Sequence, residues 1–118
     1  MQINEVSFGQ SMVIDGYGPG FFRIAGERHD GAVLVQPGSL RSWGGLEDRA
    51  PLLDLRDEID VLLVGTGAEI APLPATLRAE LEEAGIGVEM MATPPACRTY
   101  NVLLSEGRRI AAALLPVG

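Results

Sequence analysis

The stretch Asp60-Val61-Leu62-Leu63-Val64-Gly65-Thr66-Gly67 decides the architecture. An unbroken apolar run closed by a glycine turn is the pattern of a strand buried on both faces, so other elements must cover it from each side. Downstream, Pro74 to Ala84 reads as a helix, because Leu77, Leu81 and Ala84 share one face at i, i+4 and i+7, and Gly85 stops it. Ile86 to Met91 is a second strand. Thr93-Pro94-Pro95 then reads as an N-cap followed by prolines in a first turn, where their missing N–H groups do no harm. That helix runs through Glu106, with Ala96, Tyr100, Leu103 and Leu104 on one side and Gly107 behind it, and Arg109 to Leu115 is apolar on both alternating faces, as a central strand is. From residue 59 onward the order is strand, helix, strand, helix, strand, which makes the chain α/β with helices packed on a sheet.

The first third is β-rich. Ile3 to Phe8 and Met12 to Ile14 read as short strands, followed by a dense turn signal at Gly16-Tyr17-Gly18-Pro19-Gly20. Phe21 to Ala25 is a strand, Arg28-His29-Asp30-Gly31 a hairpin turn, and Ala32 to Val35 the returning strand. Gln36 to Gly45 is expected to be a loop holding Trp43, and a short helix begins near Pro51. With 118 residues and no internal repeat or linker, residues 1–118 form a single domain.

Composition narrows the function. The chain is 47% apolar, enough for one core, and carries a net charge of −7. All nine basic residues are arginines and they form no run, so a nucleic-acid partner is not expected. With no lysine there is no Schiff-base chemistry. One histidine (His29) and one cysteine (Cys97) cannot build a multi-His or multi-Cys metal site, and a lone cysteine makes no internal disulfide. No metal or cofactor is expected. The opening Met1-to-Gln10 stretch lacks an apolar segment, so no signal peptide is expected, and the apolar run from Ile110 to Val117 is far below the ~20 residues of a membrane span. The expected location is the cytoplasm of a bacterium.

Two places could hold chemistry. Gly65-Thr66-Gly67 at a strand end, with Glu89 near the distance of a ribose-binding acid, imitates a dinucleotide fingerprint; yet Ile70 occupies the third glycine position and Pro72 and Pro74 delay the helix, so a plain tight turn is the better reading. The start of the last helix gathers Thr93, Cys97, Arg98, Tyr100 and Asn101, with Glu89 close in sequence. Free N–H groups there attract anions, and a helix dipole lowers the pKa of a cysteine in the first turn. The plainer reading packs Cys97 in the core and pairs Arg98 with Glu89. His29 reads as a solvated loop residue, Glu80-Leu81-Glu82-Glu83 as the wet face of a helix, and Tyr17 and Trp43 as loop aromatics that either anchor a partner or fold back as lids.

Several phrases carry a resemblance: Tyr17-Gly18 with Gly20-Phe21, His29 with Gly31, Gly65-Thr66-Gly67, Glu89-Met90-Met91-Ala92-Thr93, and above all Ala96-Cys97-Arg98-Thr99-Tyr100-Asn101 followed by Glu106-Gly107-Arg108-Arg109 and Ala111-Ala112-Ala113-Leu114. In these the chain resembles, from about Ile3 to its end, a family of small proteins of unknown function that includes a mitochondrial complex I (NADH:ubiquinone oxidoreductase) assembly factor. The resemblance implies a three-layer α/β fold with a central mixed sheet, named after a hypothetical methanogen protein, and brings no catalytic residues with it.

Three functional readings follow. The first is a non-enzymatic adaptor or assembly factor whose partner is another protein, with peripheral contact to a membrane complex. The second is a small-molecule or anion binder, or an enzyme, using a crevice between the Gly65–Gly67 turn and the Thr93–Asn101 helix start. The third is a homo-oligomer whose exposed Tyr17 or Trp43 is simply an interface.

Overall fold

The structure, a computed structural model, describes residues 11–118; the strand expected at Ile3 to Phe8 lies outside the described residues. Among the described residues eight strands and three helices follow in the order β1 (Ile14–Gly18), β2 (Phe21–Ile24), β3 (Glu27–Asp30), β4 (Val33–Gln36), β5 (Ser39–Ser42), α1 (Ala50–Leu53), β6 (Val61–Thr66), α2 (Ala75–Glu83), β7 (Gly87–Met91), α3 (Thr93–Ser105) and β8 (Ile110–Leu115). Five strands make a mixed sheet in the order β5-β4-β8-β6-β7, and β1-β2-β3 make a separate antiparallel sheet.

The alternation along the central strands separates two cores. Leu62 and Val64 of β6, with Ala111 and Ala113 of β8 and Leu34 of β4, face one side, where they meet Leu52 of α1, Leu77 and Leu81 of α2, and Trp43. Leu63, with Ile110, Ala112, Leu114, Val33 and Val35, faces the other side, against Ala96, Cys97 and Tyr100 of α3 and Ile14, Phe22 and Ile24 of the three-stranded sheet. A period of two on strands buried from both sides is what produces two cores from one apolar run. The layers are thus α1 and α2, then the mixed sheet, then α3 with the small antiparallel sheet. β8 lies in the middle of the mixed sheet, as its apolar run predicts, and turns Ala112 toward α3 and Ala111 and Ala113 toward α1 and α2.

The β-rich front third is arranged differently from its sequence reading. β1 starts at Ile14 and runs through Gly16-Tyr17-Gly18, confining the turn to Pro19 and Gly20. The hairpin turn is Ala25-Gly26, not Arg28–Gly31: both residues have positive φ (49° and 83°), the twist a two-residue hairpin needs. Arg28, His29 and Asp30 are therefore strand residues, in register with Arg23, Phe22 and Phe21. β4 does not return along β2. At Gly31 the chain leaves one sheet for the other, where β4 pairs with β5 and β8. The expected loop Gln36–Gly45 contains β5, joined to β4 by Pro37 and Gly38. Trp43 is buried and donates its indole N–H to the Asp48 carbonyl (3.0 Å), folding back as a lid, whereas Tyr17 is 41% exposed on β1.

Candidate functional site

β6 leads through α2 on one face to β7, and β7 leads through α3 on the opposite face to β8, on the far side of β6. The carboxyl ends of β6 and β7 thus form a topological switch point, the place where open α/β sheets hold ligands. Gly65 and Thr66, expected in a tight turn, are instead the last residues of β6, paired with Leu114 and Leu115 of β8, and the chain bends only from Gly67. This segment and the start of α3 meet here, at one end of the sheet. Thr93 joins them. Its backbone N–H donates to the Gly67 carbonyl (2.8 Å), its hydroxyl accepts the Gly67 N–H (2.8 Å), and the same hydroxyl donates to the Leu115 carbonyl at the end of β8 (2.6 Å).

That arrangement corrects the expected role of Thr93. It is the first residue of α3 and not its N-cap; Ala92 occupies the cap position with no side-chain bond. Nor does the helix start offer free donors. Pro94 and Pro95 carry no N–H, the Thr93 N–H is taken by Gly67, and the Ala96 N–H is taken by the Ala92 carbonyl. Thr93 is fully buried, and a Cβ on Gly65 would stand 2.8 Å from its hydroxyl and 2.9 Å from Leu114 Cδ2. The joint closes over itself. Thr66 is likewise taken up: its hydroxyl lies 2.8 Å from the Glu69 carbonyl and accepts the Ala71 N–H at 3.0 Å, bracing the exposed loop that carries Ile70.

The remaining sequence-marked residues disperse. Cys97, the fifth residue of α3, is 4% exposed in the core under the small sheet; burial pushes its thiol up to about 11, against the opposing charge of Arg98, so the depression expected from the helix dipole is absent. Tyr100 is fully buried beside it, its phenol pushed up by burial, with no hydrogen-bond partner for the hydroxyl among the described residues. Asn101 serves β1: its amide oxygen accepts the Ile14 N–H (3.0 Å) and its amide nitrogen donates to the Ile14 carbonyl (2.9 Å), like one rung of a neighbouring strand. Glu89 and Arg98 are both exposed and form no ion pair with each other, in contrast to the expected pairing. The cavities described lie away from this joint. One, of about 240 Å³, is lined by Leu53, Arg56, Glu80, Glu83 and Ala84; another, of about 210 Å³, lies between the β4–β5 hairpin and α1, beside Arg41, Asp54 and Glu58. Neither cavity carries a sequence signal, since each is made by residues far apart in the chain.

These features define a class: a three-layer α/β protein with a mixed five-stranded sheet and a strand-end joint fastened by a single threonine. The chain belongs to the family described as a protein of unknown function (DUF498/DUF598), which residues 14–115 match. It is similar to an uncharacterised protein of Rhodobacter capsulatus, with 51% identity covering 99% of this chain and 94% of the relative. It is also similar to NADH dehydrogenase [ubiquinone] 1 alpha subcomplex assembly factor 3 of Danio rerio, with 39% identity covering 88% of this chain. The match spans 64% of that assembly factor's own length. Among solved structures, a Bartonella henselae protein described as an outer membrane protein superposes with a TM-score of 0.83 and 40% identity, covering 92% of this chain and 97% of that one. A Bordetella pertussis protein described as an Mth938-like domain superposes at 0.76 with 29% identity, covering 92% and 87%. Among the described residues no helix is long and apolar enough to cross a membrane.

Proposed function

We propose that this chain is a single-domain, non-enzymatic adaptor that acts in the bacterial cytoplasm, holding another protein during assembly of a larger, membrane-associated respiratory complex. The observation that carries this reading is the 39% identity to an assembly factor over 88% of the chain. It is supported by the surface: Val13, Tyr17, Ile70 and Val102 are large apolar side chains at least 38% exposed, while the polar side chains of Thr93 and Asn101 are taken up by the fold itself. The alternative, a ligand between the Gly65–Gly67 segment and α3, is supported by the switch-point position, where the Thr93 bonds already tie the two segments together.

The test is capture with the tagged chain from lysate, including detergent-solubilised membranes, together with deletion in the source organism. The expected result is reproducible recovery of a respiratory-complex subunit and less of the assembled complex after deletion. Normal assembly with no reproducible partner overturns the reading. Sedimentation of the purified chain decides whether it acts as a monomer or as an oligomer.

A further inference from the structure

Four strand edges are open among the described residues, and three of them carry the features that discourage further pairing. β3 reads Glu27-Arg28-His29-Asp30, charged along its length, and β5 is four residues long with Arg41 near its middle. β1 is bulged between Ile14 and Gly16, and Asn101 covers its Ile14 groups. β7 differs. Gly87-Val88-Glu89-Met90-Met91 forms the end of the five-stranded sheet and has neither proline nor a basic side chain, and its register with β6 is unbroken from Gly87 to Met91.

Its open groups can be assigned. The Gly87 N–H donates toward β6, to the Asp60 carbonyl, and the Met91 carbonyl faces β6, where the Thr66 hydroxyl lies 3.3 Å away. Backbone groups alternate along a strand, so the N–H and C=O of Val88 and Met90 point outward. The one charge on β7 is Glu89, exposed and without an ion pair among the described residues.

We propose that the outer edge of β7 accepts an extended strand of a partner protein bearing a basic residue opposite Glu89, extending the sheet from five strands to six. Outward backbone donors and acceptors recognise another extended backbone, and the side chains set the choice. A second copy of this chain fits poorly, because Glu89 is the central residue and full-length antiparallel pairing of two β7 strands would set Glu89 against Glu89. Met90 and Met91, both half-buried and on opposite faces of the sheet, supply adaptable apolar contact next to that charge. This assignment rests on the adaptor reading and names the partner's chemistry.

The probe is a short synthetic peptide alternating valine with arginine, compared with one carrying glutamate in place of arginine. Amide exchange of the full chain is followed by NMR. With the arginine peptide at millimolar concentration, exchange at Val88 and Met90 should slow at least about tenfold, and the glutamate peptide should have far less effect. Met90→Pro, which deletes an outward N–H and leaves the β6 ladder intact, should abolish the protection. Glu89→Arg, a surface change that does not depend on how well the proline is tolerated, should reverse the preference between the peptides. Equal protection by both peptides, or none at Val88 and Met90, overturns the proposal. So does protection that rises with protein concentration alone, because the occupant is then a second copy. A partner recovered from lysate whose binding survives both variants removes the β7 assignment and leaves the adaptor reading standing; peptide binding at β7 with no cellular partner does the reverse.

Discussion

Thr93 and Gly67, 26 residues apart, exchange two hydrogen bonds at 2.8 Å: the Thr93 N–H donates to the Gly67 carbonyl, and the Gly67 N–H donates to the Thr93 hydroxyl. Because that hydroxyl also donates to Leu115, one side chain fastens the ends of β6 and β8 to the start of α3. Thr93→Val keeps the shape and leaves the buried Gly67 N–H and the half-buried Leu115 carbonyl without their partner. Each such group costs about 1–3 kcal/mol. We expect a loss of about 2–4 kcal/mol in urea unfolding, against about 1 kcal/mol for Thr93→Ser, which retains the hydroxyl. Equal losses for the two variants would mean that packing, and not these bonds, holds the joint.

Gly65, within β6, and Gly67, just beyond its end, should fail for different reasons. A Cβ at Gly65 would stand 2.8 Å from the Thr93 hydroxyl and 3.1 Å from Thr93 Cα, so Gly65→Ala meets a filled space. We expect about 1–3 kcal/mol of destabilisation from overpacking. Gly67 has room, its nearest contact being the Pro116 carbonyl oxygen at 3.7 Å, but its φ is +102°. Gly67→Ala should therefore lose about 1–2 kcal/mol through backbone strain. Amide shifts separate the two causes: those of Gly65→Ala should spread into α3 and β8, and those of Gly67→Ala should stay in the turn.

What the sequence made legible, and what it hid, follows from where each element sits. The order of elements over residues 61–115 read correctly because β6 and β8 are covered on both faces, so their apolar runs are continuous, and because glycines follow both longer helices. Gly65 and Thr66 read as a turn because a glycine pair hides the end of a strand. β3 and β5 escaped for the opposite reason. They are edge strands facing solvent, so Glu27-Arg28-His29-Asp30 and Ser39-Leu40-Arg41-Ser42 show no apolar alternation and resemble loops. At the candidate site the convergence of the Gly65–Gly67 turn with Thr93 was legible from the strand–helix order. The use of the Thr93 hydroxyl was not, because its partners Gly67 and Leu115 are distant backbone groups that leave no mark in side-chain spacing. Cys97 and Tyr100 were grouped with Arg98 by sequence proximity alone, whereas the 3.6-residue period sends the first two into the core and the third to solvent.

Cys97 should make the fold sensitive to alkali. Its thiol is raised from 9.0 to about 11, so between those values the folded chain holds a proton that the unfolded chain releases. The stabilisation is present in full below about pH 9 and is lost as the pH rises toward 11. The urea midpoint should hold steady up to about pH 9 and fall above it, with a shallower fall in Cys97→Ala. Thiol reagents at pH 7 should label the folded chain no faster than its unfolding allows, since the buried thiol is protonated. Rapid stoichiometric labelling of the native protein would contradict this placement.

Asn101 should matter to β1 well beyond its place on α3. Asn101→Ala removes both bonds to Ile14 and bares the edge of the small sheet where the bulge already interrupts pairing. About 1–3 kcal/mol should be lost. Exchange of the Ile14 amide should quicken by more than that of Phe22, which stays inside the same core. Uniform quickening across β1, β2 and β3 would instead make the small sheet one cooperative unit that Asn101 anchors to α3.

Tyr100→Phe should run against the usual cost of trimming a buried side chain. The ring is fully buried among Ile14, Phe22, Leu63 and Leu114, and its hydroxyl has no partner among the described residues. A buried hydroxyl without a hydrogen bond carries a desolvation penalty of about 1–3 kcal/mol that phenylalanine does not, while the ring contacts are retained. Stability should therefore stay level or rise by up to about 1 kcal/mol, and the part of the alkaline loss that belongs to the raised phenol should disappear. Thr93→Val is the natural contrast, since there the deleted hydroxyl has two partners. A loss of more than about 1 kcal/mol for Tyr100→Phe would show that the phenol bonds to a buried water or to another part of the chain.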